Sequence, residues 1–251
     1  MLLQERQQYI AKQIEKYGAV TTAELMNKFN VSIETVRRDL IVLENEGILK
    51  KVHGGAVRNQ APSIFRDLNV RKEEHDIRKS MLAKTAVKMI NEGDVVGIDT
   101  GSTAICLAHE IKKTFEKLTV ITHSLDVFEI LCNTGNNVIL CGGTYMPSER
   151  SFYGVHTTTV IERLFIPKLF LCPSAISIKY GICDWVEELL AVQMSMIKRS
   201  DKVYVIADSS KYETKALIKI DDVSPRYTFI TDNELSDTVK QLYAENGINI
   251  I

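Results

Sequence analysis

The residues best suited to chemistry stand in the run Gly97–Thr103, GIDTGST, where a branched apolar stretch ends in an acid, a glycine and three hydroxyl side chains. The segment that follows, AICLAHEI, has helical period. A helix that opens on such small residues offers unpaired backbone N–H groups and the positive end of its dipole, and phosphate suits both. Three later stretches have the same make-up: Thr122-His123-Ser124, Gly142-Gly143-Thr144 and Asp208-Ser209-Ser210-Lys211. Each follows an apolar run. One such loop is ordinary turn chemistry; four of them, with a lysine and no apolar lining, point to a phosphorylated polyol. The expected binding set is Asp99, Thr100, Gly101, Ser102, Thr103, Thr122, Ser124, Gly142, Gly143 and Lys211. Asp99, Lys211 and Glu187 or Glu188 could instead supply acid and base for sugar-phosphate isomerisation. The loops therefore fit a sensor or an enzyme.

For these loops to converge, the elements before them must be parallel. Strands are expected at 95–99, 118–122, 137–141, 168–174, 202–207 and 227–231, and helices at 77–91, 103–115, 124–134, 156–165, 185–199 and 234–245. Such alternation gives a Rossmann-like, mainly parallel α/β sheet covered on both faces, with ligands just beyond the carboxyl ends of its strands. The long loop after the third strand, YMPSERSFYG, adds Ser148, Arg150 and Ser151 to that edge.

The first 58 residues follow a different grammar. Leu3, Gln7, Ile10, Ile14 and Tyr17 share a helical face that Gly18 ends. Thr21 and Glu24 have capping-box spacing for a short helix through Phe29. A turn at Asn30-Val31 and a cap at Ser32 start a third helix, Ile33 to about Glu46, stopped by Gly47. Two short helices joined by a tight turn form a helix-turn-helix. On the third, Ile33, Val36, Leu40 and Leu43 face a core, while Glu34 and Arg38 point away with Thr35 and Arg37 on the flanks. Adjacent arginines near the start of a capped helix suit guanine edges and phosphates in a major groove. Against this, Glu34, Asp39 and Glu44 fit a plain solvated face. The next residues, ILKKVHGGAVR, form a basic hairpin, the wing of a winged helix, which favours DNA. The expected contacts are Ser32, Glu34, Thr35, Arg37, Arg38, Lys50, Lys51 and His53, with Arg58 also on the wing.

The expected organisation is a winged helix-turn-helix domain at 1–58, a polar linker at 59–75 broken by Pro62, and an effector-binding domain at 76–251. Net charge is −1, yet residues 1–60 hold nine Lys/Arg against seven Asp/Glu while the remainder holds 22 against 25. No apolar run has the length of a membrane span, and the first residues lack the pattern of a signal peptide. The five cysteines have no CxxC spacing and read as reduced core thiols. A cytoplasmic protein without cofactor or metal is expected. A redox or metal sensor built on the cysteines is a poorer alternative, since they fall on separate elements.

The segment TTAELMNKFNVSIETVRRDLIVLENEGILKKVHGGA closely resembles the N-terminal domain of the DeoR family of bacterial transcription regulators, with its VS..T.RRDL..LE..G.....HGGA pattern matched at Val31–Ala56. EGDVVGIDTGST, VITHS, LCGGTYMPSERSFYG, LFLCPSAISIKYGI and ADSSKY resemble the sensor domain of the same family. The resemblance implies a winged helix joined to a domain akin to ribose-5-phosphate isomerase, duplex operator DNA as partner, and a phosphorylated sugar as effector. It also implies a homo-oligomer, a dimer or tetramer, that represses sugar or nucleoside catabolism. By position it places Thr35, Arg37 and Arg38 on the DNA-reading helix, and Asp99, Gly101, Ser102, Thr103, Gly142, Gly143 and Lys211 in the effector pocket. This chain departs from the pattern at His123, usually Asn, at Pro167, usually an acid, and at Cys183, usually a hydroxyl. His123 is expected either to contact ligand or to face solvent.

Overall fold

The computed structural model describes residues 3–17, 19–45, 48–52, 54–58, 68–73 and 76–251. The expected helix stops at Gly18 and Gly47, the wing residue His53, and residues 59–67, 74 and 75 of the expected linker lie outside them. The chain divides into two compact units, 1–64 and 65–251.

The first unit runs α1 (Leu3–Tyr17), β1 (Ala19–Thr21), α2 (Thr22–Phe29), α3 (Ile33–Asn45), β2 (Leu49–Val52) and β3 (Gly55–Arg58). The capping box forms: Glu24 N donates to Thr21 Oγ1 at 3.2 Å, and Thr21 N donates to Glu24 Oε2 at 3.1 Å. Asn30 ends α2 in the left-handed region, φ 51°. Thr35 N donates to Ser32 Oγ at 3.4 Å, which opens α3. Ile10 and Ile14 pack with Leu25, Phe29, Val36, Leu40, Leu43 and Leu49 in one core. The expected hairpin β2–β3 gains an unexpected third strand, β1, in the order β1-β3-β2. Gly54, φ 83°, makes the turn, and Gly55 allows the approach, because a Cβ there would lie 2.1 Å from Val20 O.

The second unit opens with α4 (Leu68–Glu73) and α5 (Asp76–Val87). Then come β4 (Val95–Ile98), α6 (Ser102–Thr114), β5 (Thr119–Thr122), α7 (Leu125–Leu131), β6 (Asn137–Leu140), β7 (Thr144–Met146), β8 (Ser151–Tyr153) and α8 (Val155–Ile161). They are followed by β9 (Ile166–Leu171), β10 (Ala175–Ser177), β11 (Gly181–Asp184), α9 (Glu187–Lys198), β12 (Ser200–Ile206), β13 (Ile218–Asp221), β14 (Tyr227–Ile230), α10 (Asp237–Glu245) and β15 (Asn249–Ile250). The main sheet has the order β15-β14-β12-β9-β4-β5-β6, and every neighbouring pair is parallel. Successive strand residues enter opposite cores. Phe170, Tyr204 and Ile206 join one, while Leu169, Leu171, Val203 and Val205 join the other. Burial on both faces is why these strands read as continuous apolar runs.

All six expected strands are in this sheet; the seventh, β15, is two residues long and carries no pattern. Two small antiparallel pieces lie beside it, the hairpin β7–β8 and the sheet β10-β11-β13. Within the expected linker, Leu68–Glu73 form a helix. Leu68 is buried, and its N–H donates to Ser148 O at 3.4 Å, so α4 is docked on the loop before β8. Pro167 falls at the start of β9, between the register pairs Ser200–Ile166 and Lys202–Lys168, where a missing N–H is tolerated. It is at the amino edge of the sheet, opposite the strand-end loops. Cys183 lies in β11, buried, with its thiol facing Tyr180 O at 3.3 Å. Of the thiols expected in the core, Cys132 is exposed and Cys106 half-buried, so only Cys141, Cys172 and Cys183 are interior. Cys132 follows the short α7 directly, at the end of a helix rather than on its packed side.

Candidate nucleic-acid face and anion site

On α3 three of the four expected core residues, Val36, Leu40 and Leu43, are buried and Ile33 is half-buried, while Ser32, Glu34, Arg37 and Arg38 are exposed, with Thr35 half-buried. Asp39 does not belong to the exposed face. It is 1 % exposed and accepts from Arg6 Nε at 2.7 Å and Nη2 at 3.2 Å. Glu44, still partly exposed, is engaged by the hairpin, accepting from Lys51 N at 2.7 Å and lying 3.9 Å from Lys51 Nζ. Two of the three acids that argued for a plain solvated face are thus engaged within the unit, while Glu34 stays exposed with Arg37 and Arg38. Lys50 lies on β2 beside Lys51.

In the parallel sheet the chain moves from β4 to β5 to β6 on one side, then returns to β9 on the other side of β4. Strand order reverses at the carboxyl ends of β4 and β9, the place where sheets of this kind bind ligands in a crevice. Asp99 follows β4 at this point and is fully buried. Its Oδ2 accepts from Cys172 N at 3.1 Å and Gln193 Nε2 at 3.3 Å, and its Oδ1 pairs with His123 Nε2 at 3.0 Å. The other ring nitrogen of His123 lies 3.0 Å from Phe152 O. His123 therefore faces neither solvent nor an open pocket: it is wholly buried and braces Asp99. Lys211 approaches the same strand ends from the short 3-10 turn Ser209–Lys211, donating to Pro173 O at 2.8 Å just past β9.

Helix α6 begins here without a side-chain cap, because its cap residue is Gly101 at φ 106°, ψ 172°. That conformation is nearly closed to other residues. Ser102 and Thr103 are 5 % and 1 % exposed, and Thr103 Oγ1 is buried without a hydrogen-bond partner. A Cβ on Gly101 would have Arg71 Nη1 at 3.6 Å, which sets the guanidinium of α4 beside the loop. Arg71 Nη2 donates to both carboxylate oxygens of Glu149, a residue 3 % exposed. Thr100 Oγ1 donates to Glu149 O at 3.2 Å. Burial pushes the Glu149 carboxyl above its ordinary value against the pull of Arg71, and the charges of Asp184 and Asp99 add to the push.

The remaining expected residues are used differently. Thr122 Oγ1 accepts from Ser124 N at 3.1 Å, and Ser124 Oγ accepts from Val127 N at 3.4 Å, capping α7. Gly142 and Gly143 follow β6, an edge strand two places from β4, or about 10 Å away at ordinary strand spacing. Gly143 is required for packing, since a Cβ there would lie 2.2 Å from Thr157 Oγ1 and 2.6 Å from Tyr153 O. The long loop turns Arg150 outward, φ 45°, to Asp126 at 2.8 Å and Glu129 at 2.7 Å. Glu187 and Glu188 are exposed on the first turn of α9. The nearby buried acid is Asp184, which accepts from Ser174 Oγ at 2.7 Å and Gln193 Nε2 at 3.0 Å.

Sequence reading thus missed Arg71, Glu149, Asp184 and Gln193. Gln193 had a signal: it interrupts the buried stripe Leu189, Val192, Met196 on α9. Arg71 had none, lying in a polar stretch without period. A separate cleft of about 560 Å³ opens beside β14 and β15, lined by Thr231, Asp232, Lys240, Ala244 and Asn249 among others. It meets the second half of α10, whose dipole disfavours an anion. The switch point is the better anion site.

Residues 6–61 match the DeoR-like helix-turn-helix domain, and residues 74–233 match the DeoR C terminal sensor domain. The L-fucose operon activator of Haemophilus influenzae is 30% identical over 245 residues, covering 97% of this chain and 97% of its own. The lactose phosphotransferase system repressor of Streptococcus mutans is 32% identical over 249 residues, covering 96% of this chain and 97% of its own. Among solved structures, a D-ribose-5-phosphate isomerase in complex with phospho-erythronic acid aligns with 55% of this chain and 54% of its own, at TM-score 0.42 and 13% identity.

Proposed function

Because the chain belongs to the DeoR family of transcription regulators, we propose that it represses a carbohydrate-catabolism operon and that a phosphorylated sugar at the switch point relieves repression. Helix α3 lies in the major groove, with Arg37 and Arg38 on guanine edges or phosphate and Ser32, Glu34 and Thr35 around them. Lys50, Lys51 and His53 on the wing meet the backbone. A homo-oligomer presents two such helices to half-sites roughly 34–36 Å apart or a multiple of it.

The observation that carries the effector reading is the start of α6. It is an uncapped helix N-terminus at the topological switch point, with an orphaned buried hydroxyl at Thr103, Arg71 beside its Gly101 turn and Lys211 at Pro173 past the neighbouring strand β9. Backbone N–H groups of Ser102 and Thr103 take the phosphate, and Thr100 and Lys211 border the sugar. Asp99, held by Cys172, Gln193 and His123, orients the loop from beneath. Thr122 and Ser124 support the wall, and Gly142 and Gly143 shape its outer end.

The isomerase reading is disfavoured because both oxygens of Asp99 are engaged within the protein, and Glu187 and Glu188 project to solvent. The chain acts as a regulator and not as an enzyme, in the cytoplasm where operator DNA is found. Among the described residues no helix is long and apolar enough to cross a membrane.

The test is a thermal-shift screen of pentose and hexose phosphates on the full chain, followed by anisotropy on an operator duplex selected from random sequence. A binder at 100 times its dissociation constant should stabilise the protein by about 2.7 kcal/mol. The same compound should weaken operator binding about 5- to 150-fold. A panel that shifts neither quantity overturns the reading.

A further inference from the structure

One cation beside the site described above is already paired with a carboxylate of the protein itself. Glu149 is 3 % exposed, it is held to the Arg71 guanidinium by both oxygens, and that guanidinium stands beside the Gly101 turn where the α6 amides emerge. Both oxygens sit on one guanidinium nitrogen, Nη2, a charge-assisted contact of the kind arginine also makes to a phosphate oxygen. Glu149 is fixed there through its own backbone, whose carbonyl accepts from Thr100 Oγ1 at 3.2 Å, next in the chain to Gly101.

Building on the effector reading above, we propose that Glu149 is the resident counter-anion of the site and that an incoming oxyanion binds by taking Arg71 from it. The exchange has a mechanical side. Arg71 belongs to α4, Lys79 Nζ donates to Arg71 O, and Lys72 Nζ lies 3.1 Å from Asp126, so α4 is tied to the site through several charged contacts. Moving the guanidinium from the loop carboxylate to a ligand changes the load on the segment that follows the DNA-binding unit in the chain. Arg71 is then a ligand-binding residue, and Glu149 sets the threshold that an anion must exceed.

The molecule carries its own reporter. Trp185 is the single tryptophan of the chain, and its backbone N–H donates to Asp184 Oδ1 at 2.7 Å. Asp184 shares Gln193 with Asp99. Sulfate titrations of the full chain are followed by Trp185 fluorescence. Glu149→Gln should bind sulfate about tenfold more tightly than the parent, because the competitor has lost its charge. In an Arg71→Ala background the same Glu149→Gln change should give no gain. A gain that persists without Arg71 would mean general charge repulsion and would overturn the exchange. An unchanged affinity in Glu149→Gln, with sulfate binding to the parent abolished by Ser102→Asp, would also overturn it while leaving the effector site standing. If neither the parent nor Glu149→Gln binds sulfate, the site itself falls and the exchange with it. Should Glu149→Gln fail to fold, Glu149→Asp, which withdraws the carboxylate by one methylene, should bind sulfate more tightly than the parent, and an equal or weaker affinity counts against the exchange.

Discussion

Two helix starts, those of α3 and α6, are built in opposite ways. Helix α3 begins on Ser32, whose hydroxyl closes over Thr35 N, and its charged side chains project outward with Asp39 drawn into the core. Helix α6 begins on Gly101, which has no side chain to offer, and its own first residues are buried. A capped start spends its amides internally and leaves side chains to read an extended polyanion. A bare start keeps the amides for a small anion that must come to the backbone. In the function proposed above, the same element serves a groove in one unit and a pocket in the other, and the residue at each cap position makes the difference.

The contrast can be broken in several places. The largest effect is expected from Asp39→Ala, which removes the carboxylate that Arg6 bonds twice inside the first unit. It should cost about 3 kcal/mol in urea unfolding of that unit and abolish operator binding through loss of α3 placement. Next comes Gly101→Ala. Its positive φ should cost about 1–3 kcal/mol in strain, with loss of effector binding and no loss of operator affinity for the ligand-free chain. Arg38→Ala should do the reverse, weakening operator binding by about 1–3 kcal/mol if it reads a base while thermal shifts by effector persist. Ser32→Ala should cost about 1 kcal/mol of stability; a fall in DNA affinity larger than that would mean the hydroxyl also touches DNA.

The smallest effect belongs to the far edge of the sheet. Burial opposes ionisation of Asp94, yet Lys168 Nζ at 2.5 Å and Asn91 N at 2.8 Å hold its carboxyl below the ordinary value. A depressed carboxyl stabilises above its unfolded pKa and loses that contribution as pH falls through the folded one. Asp94→Asn should therefore lower stability by under about 1 kcal/mol near neutrality. The deficit should close as acid protonates the parent, and effector affinity should not change. A deficit independent of pH would show that packing, not charge, is at stake.

Much of this was legible in the sequence because it is local. Thr21 with Glu24, the stripe of α3 and the six apolar strands are each written within a few neighbouring residues, and each formed as read. The hydroxyl loops fell on the carboxyl edge of the sheet because parallel strands leave no other place for them. The state of Asp99 was not legible. Its partners His123, Cys172 and Gln193 stand 24, 73 and 94 residues away, and only the folded sheet brings them to one carboxylate. His123 was misread for the same reason, since a residue after a strand looks exposed until the β7–β8 hairpin covers it. Arg71 lies in a segment without period, and a helix of six residues held by one buried leucine and ion pairs leaves no pattern to find.

The parallel sheet has a further consequence at its margins. One margin is β15, with two residues, and the other is β6, with four, followed at once by Gly142-Gly143 and the turn into an antiparallel hairpin. Strands so short give a neighbouring chain little ladder to extend, which protects the molecule from strand-by-strand aggregation at high concentration. Copies that meet therefore gain little from pairing along the margins of this sheet.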